Sequence, residues 1–265
     1  MLIHRILSAI VLIPIVLSVS YVGGPYFAAL VAVVALLAGY EFYHIMRNGG
    51  YHPSYLAGLV LIALLLLDAY YPSYGIGRWG LTATVMLLML WQILHVDTRG
   101  FLTNWALTLA GALYVGGLSG HMIALRNLPQ GFAWLLLTLA VTWVCDSAAY
   151  FVGTQWGRRG FFVRLSPHKT WEGAVAGCVA GILTTLIAGH MVGLLLWQSF
   201  FLGVLLVMGV TFGDLAESLV KRQVGVKDSG SLIPGHGGML DRIDSLLFAA
   251  VIVYYFVVCL VGSGA

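Results

Sequence analysis

Asp214, Glu217, Ser218, Lys221 and Arg222 stand at i, i+3, i+4, i+7 and i+8, the spacing that places side chains on one face of a helix. Leu215, Leu219 and Val220 between them are apolar, so the polar stripe must look into a hydrated cavity or a metal site rather than lipid. Beyond it come Lys227-Asp228, Ser229-Gly230-Ser231, Pro234-Gly235-His236-Gly237-Gly238 and Asp241-Arg242-x-Asp244. Glycines let backbone N–H groups approach an anion closely, and lysine supplies charge. The GxxxxGK[ST] nucleotide loop is absent. Carboxylates among cations oppose phosphate binding unless a divalent cation bridges them, and aspartates in oxygen-rich surroundings favour magnesium over zinc.

A second set lies earlier. The stretch 153–173 carries Arg158, Arg159, Arg164 and Lys169 with no acid before Glu172. Charge bias and attraction to anionic headgroups explain such a loop without chemistry. Ser166-Pro167-His168-Lys169 tilts the reading towards function, because a Ser-Pro helix start would gather N–H groups, a hydroxyl and Lys169 around a phosphate. Asp146 precedes Gly153 by seven residues, as Asp214 precedes Lys221. That places both acids about 10 Å from the expected cytoplasmic ends of their helices. A carboxylate at such depth is a functional candidate by default, the alternative being a structural acid satisfied by a neighbouring helix. Asp241 and Asp244 sit at i and i+3 of a helix start, where the macrodipole alone favours acids. His4, Glu41, His44 and His95, and on the opposite side Asp68, His121 and His190, are expected to be interfacial or satisfied by neighbouring helices.

The elements that must hold these residues are apolar. Of the 265 residues, 60% are hydrophobic and 9% charged, against about 25% charged in soluble domains, and the mean hydropathy is +0.96. The net charge of +3 does not point to nucleic acid, and no such partner is expected. The expected fold is an all-α polytopic membrane protein with about nine transmembrane helices, over 6–22, 26–45, 55–71, 79–95, 101–123, 132–152, 174–196, 200–220 and 243–261. The first is expected to be retained rather than cleaved as a signal peptide. Cys145, Cys178 and Cys259 fall in apolar runs and read as packing residues.

With the N-terminus in the cytoplasm, eleven of thirteen Lys and Arg fall on that side, leaving Arg78 and Arg126 outside. The positive-inside bias therefore predicts an N-in, C-out topology. Residues 1–130 are expected to form an N-terminal membrane region of five spans, and 131–265 a catalytic region of four spans with two long cytoplasmic loops.

The run Ser218-x-x-Lys221-Arg222, Lys227-Asp228-x-Gly230, Pro234-x-His236-Gly237-Gly238-x-x-Asp241-Arg242-x-Asp244 resembles the signature of phosphatidate cytidylyltransferases, or CDP-diacylglycerol synthases. The resemblance extends to Asp146-Ser147-x-Ala149-Tyr150-x-x-Gly153, Ser166-Pro167-x-Lys169-Thr170-x-Glu172-Gly173 and Gly213-Asp214-x-x-Glu217-Ser218. In the first five spans it is one of hydrophobicity and length only. It implies that CTP and phosphatidate from the inner leaflet give CDP-diacylglycerol and pyrophosphate in phospholipid biosynthesis. Magnesium is required, a second cation is allowed, and a homodimer in the bacterial inner membrane is expected, its site facing the cytoplasm. Carried over through the motifs, Asp214, Lys221 and Asp241 are the catalytic set. Asp214 and Asp241 are metal ligands, with Asp146 and Asp228 as further contributors. Lys169, Ser218, Arg222, Lys227, His236, Gly237, Gly238 and Arg242 are expected to bind substrate.

Two other readings compete. A CTP-dependent polyprenol or phytol kinase would share part of the site, but the run from Lys227 to Asp244 favours the cytidylyltransferase. A cation-coupled transporter could use Asp146 and Asp214 as ion sites. The lack of an apparent inverted repeat and the gathering of polar residues on one side stand against it.

Overall fold

The computed structural model describes residues 2–94, 99–230 and 237–261, with side chains from residue 12 onward. Backbone groups in lipid must be satisfied within each segment, and the chain answers with helices. They are α1 (Leu2–Val22), α2 (Gly24–Asn48), α3 (Tyr55–Tyr70), α4 (Ile76–Ile93), α5 (Phe101–Ala112), α6 (Leu118–Arg126), α7 (Gly131–Trp156), α8 (Trp171–Met191), α9 (Leu196–Gln223) and α10 (Leu240–Phe256). A π-helical turn at Leu113–Gly117 joins α5 to α6, and another at Val257–Val261 continues α10. Among the described residues there is no strand, only an isolated bridge between Gly160 and Thr170.

The chain is an all-α polytopic membrane protein. Among the described residues seven helical stretches reach 18 residues with the apolar character of a span, while Tyr55–Tyr70 is shorter. Each apolar segment marked in the sequence overlaps helix, although 101–123 runs across α5, the π-helical turn and α6, 174–196 overruns α8, and α7 runs on to Trp156 and α9 to Gln223. Asp146 and Asp214 therefore stand ten and nine residues from their helix ends, about 15 and 14 Å. They are matched in distance and stand further from their helix ends than the sequence suggests.

Two compact units emerge, Met1–Asn127 with Gln223–Arg242, and Leu128–Arg222 with Ile243–Ala265. The segment Gln223–Arg242 groups with the N-terminal unit.

In the first unit, α2 buries Phe27, Val31, Ala35, Ala38 and Phe42, a stripe at helical spacing. Small residues bring its neighbours close: the Tyr43 ring fills the space beside Gly58, and its hydroxyl donates to the Thr108 carbonyl at 2.7 Å. Arg126 closes α1, its Nε donating to the Ser20 carbonyl at 2.7 Å and its Nη2 to that of Tyr21 at 2.9 Å. These are carbonyls that a helix end leaves without partners.

In the second unit α8 presents Gly173, Gly177 and Gly181 at four-residue intervals. A Cβ at Gly173 would lie 2.6 Å from the Ala149 carbonyl oxygen, and one at Gly177 3.0 Å from that of Cys145. The small-residue stripe thus lets α7 and α8 meet backbone to backbone. Gly213 does the same for α9 and α10, since a Cβ there would meet the Asp244 carbonyl oxygen at 2.7 Å.

Candidate active site

In the second unit the polar stripe of α9 is as the spacing predicts. Lys221 Nζ donates to Glu217 Oε2 at 2.5 Å, one helical turn away, with the Glu217 side chain 1% exposed. Ser218 Oγ donates to Asp214 Oδ1 at 3.4 Å, a long contact. The sequence offers no hint of the partner that reaches Asp214 from outside the helix. Lys169 Nζ lies 2.6 Å from Asp214 Oδ2, with the two side chains 24% and 34% exposed.

Lys169 reaches α9 because its loop is tied down. Glu172, in the first turn of α8, accepts from the backbone N–H groups of Arg158 (3.1 Å) and Arg159 (3.2 Å). Phe161 N–H donates to the Lys169 carbonyl at 2.7 Å, and Trp171 N–H to that of Arg159 at 2.9 Å. The buried Phe161 ring packs edge-on against Trp171 at 4.6 Å. The Ser-Pro helix start expected from the sequence is a turn instead, closed by Lys169 N–H to the Ser166 carbonyl at 3.2 Å. The helix begins at Trp171 with Thr170 as its cap, accepting from Gly173 N–H. Threonine wins because it pairs a capping hydroxyl with an acid in the first turn. Arg222 Nε donates to the Leu165 carbonyl at 3.0 Å from the exposed end of α9.

Asp244, on α10, lies within electrostatic reach of Asp214, Asp146 and Lys221. It is quoted in the sequence motif without a role, and here it joins the acids of α7 and α9. Asp146 itself is exposed.

The first unit holds the other group. Asp241 Oδ2 accepts from Ser229 N–H (3.1 Å), Ser229 Oγ (2.9 Å) and Gly238 N–H (2.9 Å). Lys227, Asp228 and Arg242 are exposed, Gly238 is buried, and Gly237 takes φ 82°, the left-handed region that glycine tolerates. His236 lies outside the described residues. The residue that sequence reasoning passed over is Glu41, expected to be merely interfacial or satisfied by a neighbouring helix. It is 3% exposed, and its Oε2 accepts from Ser229 Oγ (3.1 Å) and Leu240 N–H (2.9 Å). The available signal was its place inside an apolar helix, where an acid needs a reason.

The sequence model of the cytidylyltransferase family matches residues 3–260. The chain belongs to that family. It is 32% identical over 295 residues to the phosphatidate cytidylyltransferase of Synechocystis sp., covering 97% of each chain. To the phosphatidate cytidylyltransferase of Brucella suis it is 36% identical, covering 95% of this chain and 92% of the relative. To that of Bacillus subtilis it is 33% identical, covering 95% and 96%. This cytidylyltransferase is therefore a membrane-embedded nucleotidyltransferase, and its acids and cations can be weighed for that chemistry.

A divalent ion is the first question. Among the described residues no three His, Cys, Asp or Glu side chains form a ready-made metal cluster. Magnesium does not need one: it keeps several waters and takes one or two carboxylates plus substrate phosphates. Asp214 and Asp146, which both act electrostatically on Asp244, are with it oxygen donors of the required kind. The charge they concentrate is a physical reason for a cation there.

Proposed function

We propose that this cytidylyltransferase transfers the cytidylyl group of CTP to phosphatidate, giving CDP-diacylglycerol and pyrophosphate. A phosphate oxygen of phosphatidate attacks the α-phosphorus of CTP, and the bond from that phosphorus to the bridging oxygen breaks as pyrophosphate leaves. Phosphate monoesters are largely ionised near neutrality, so no side chain need act as base. The obstacle is the meeting of two polyanions, and cationic groups lower it.

What carries the reading is the gathering, in one compact unit, of three acids and two lysines from four separate segments. Asp146 comes from α7, Lys169 from the 157–170 loop, Asp214 and Lys221 from α9, and Asp244 from α10. In our proposal Lys169, Lys221 and Arg222 bind phosphate oxygens, and Ser218 helps shape the nucleotide site. In the other unit Lys227, Arg242, His236 and the Gly237-Gly238 amides bind nucleotide phosphates. Asp214 and Asp241 serve as magnesium ligands, with Asp146 and Asp228 contributing. When bound, magnesium supplies charge neutralisation at the phosphates.

The proposal places the protein in the bacterial inner membrane with nine crossings, the N-terminus and the reaction on the cytoplasmic side, and phosphatidate entering from the inner leaflet. It includes a homodimer, which the mass of the purified protein in detergent tests. The activity is tested by incubating the purified protein with CTP, phosphatidate and magnesium and following pyrophosphate. Release that requires both substrates, with CDP-diacylglycerol formed in equal amount, is expected. Phosphorylation of the lipid with release of CDP would instead mark a kinase. No turnover under any magnesium concentration would sink the reading.

A further inference from the structure

Glu41 comes from α2, in the region to which no catalytic part has been assigned, yet its carboxylate is hydrogen-bonded to residues far along the chain. Its Oε2 accepts from Ser229 Oγ, 188 residues later, and from Leu240 N–H, 199 residues later. Leu240 opens α10, and its amide is one of the donors a helix start leaves without an internal partner. The preceding residue, Met239, has no side-chain oxygen to cap it, so Glu41 does so from another helix, with the sign of charge that the macrodipole favours.

The backbone closes around this carboxylate. A Cβ at Gly230 would lie 2.5 Å from Glu41 Oε1, and one at Gly238 2.5 Å from Oε2 and in collision with Ser229 Oγ. Two glycines of the signature are therefore required by the acid they enclose. Ser229, 2% exposed, links Glu41 to Asp241 through a single hydroxyl. Ser229, Gly238 and Leu240 are thus held by two carboxylates, Asp241 in the first turn of α10 and Glu41 in α2.

We infer that Glu41 is a positioning residue for CTP. It fixes Ser229–Gly230 and Gly238–Leu240, and through them the first turn of α10, in the conformation that binds nucleotide phosphates. The inference rests on the proposed nucleotide role of this segment, and the test separates the two.

The test compares wild type with Glu41→Gln and Glu41→Ala, full-length in detergent, by amide hydrogen exchange and by kinetics. Exchange at Ser229, Gly238 and Leu240 should quicken by about 10- to 100-fold, the factor that one charge-assisted hydrogen bond carries. Exchange in α7 and α8 should be unchanged. The KM for CTP should rise by a similar factor of about 10 to 100, while that for phosphatidate stays within about two-fold. A merely structural role would lower the active fraction and leave both KM values alone. Unchanged exchange at the three amides overturns the anchoring, whatever the activity. Quickened exchange with an unchanged KM for CTP overturns its role in nucleotide binding. Quickened exchange in a protein whose wild type does not use CTP would leave the anchor standing and remove the proposed function.

Discussion

Removing the Lys221 ammonium does two things at once. It takes away a cation proposed to bind phosphate, and it strips the buried Glu217 carboxylate of its partner at 2.5 Å. Breaking a buried pair from one side costs about 3–5 kcal/mol, so Lys221→Met alone should unfold part of the population. Glu217→Gln with Lys221→Met should recover thermal stability while turnover remains at least about 100-fold down. Recovery of turnover with stability would show that Lys221 only neutralises Glu217. Asp214 is different, being 34% exposed and paired to Lys169 at 2.6 Å. Asp214→Asn should keep the fold and cost about 100-fold or more in turnover across a magnesium titration. Near-normal turnover would remove it from the metal set. The Glu217–Lys221 pair could be read from the sequence because both residues lie on one helix at i and i+4. The Lys169–Asp214 pair could not, since 45 positions and a folded loop separate them. Glu41 was harder still, because its partners Ser229 and Leu240 are placed by tertiary structure alone.

At the scale of elements, hydropathy located the helices, since an apolar chain in lipid has few alternatives, but it was silent on what ends them. Ser166-Pro167 has the residues of a helix start and yields only a turn, because Thr170 and Glu172 cap α8 better. Glycines divide in the same way. At the π-helical turn, a Cβ on Gly116 would lie 2.8 Å from Ile62 Cα, whereas one on Gly117 would meet nothing within 4 Å. Gly116→Ala should therefore push α3 away and cost about 1–3 kcal/mol. Gly117→Ala, at a helical φ of −62°, should be neutral or stabilising by up to about 1 kcal/mol. Thermal melts of the two variants in one detergent check the contrast, and equal shifts would contradict the packing described for α3.

For the whole molecule, the proposed topology rests on the distribution of Lys and Arg, whose positive-inside bias favours the N-terminal side for Arg159 and Lys227. Single cysteines introduced at exposed Arg159 and Lys227, in a background lacking Cys145, Cys178 and Cys259, should react with an impermeant maleimide only after the inner face is opened. A cysteine at Trp79, beside Arg78, should react from outside. Labelling of position 159 or 227 in sealed cells would overturn the orientation.

The link from Glu41 to Ser229 and Leu240 also sets a timetable for biosynthesis. A ribosome adding about 5–20 residues per second delivers Leu240 roughly 10–40 s after Glu41, across the 199 positions between them. Throughout that interval α2 carries an acid whose partners Ser229 and Leu240 do not yet exist, so the Glu41 carboxylate cannot reach its final contacts until the start of α10 has been made. Chains interrupted before Ser229 should consequently be short-lived in pulse-chase labelling, and Glu41→Leu should lengthen their survival.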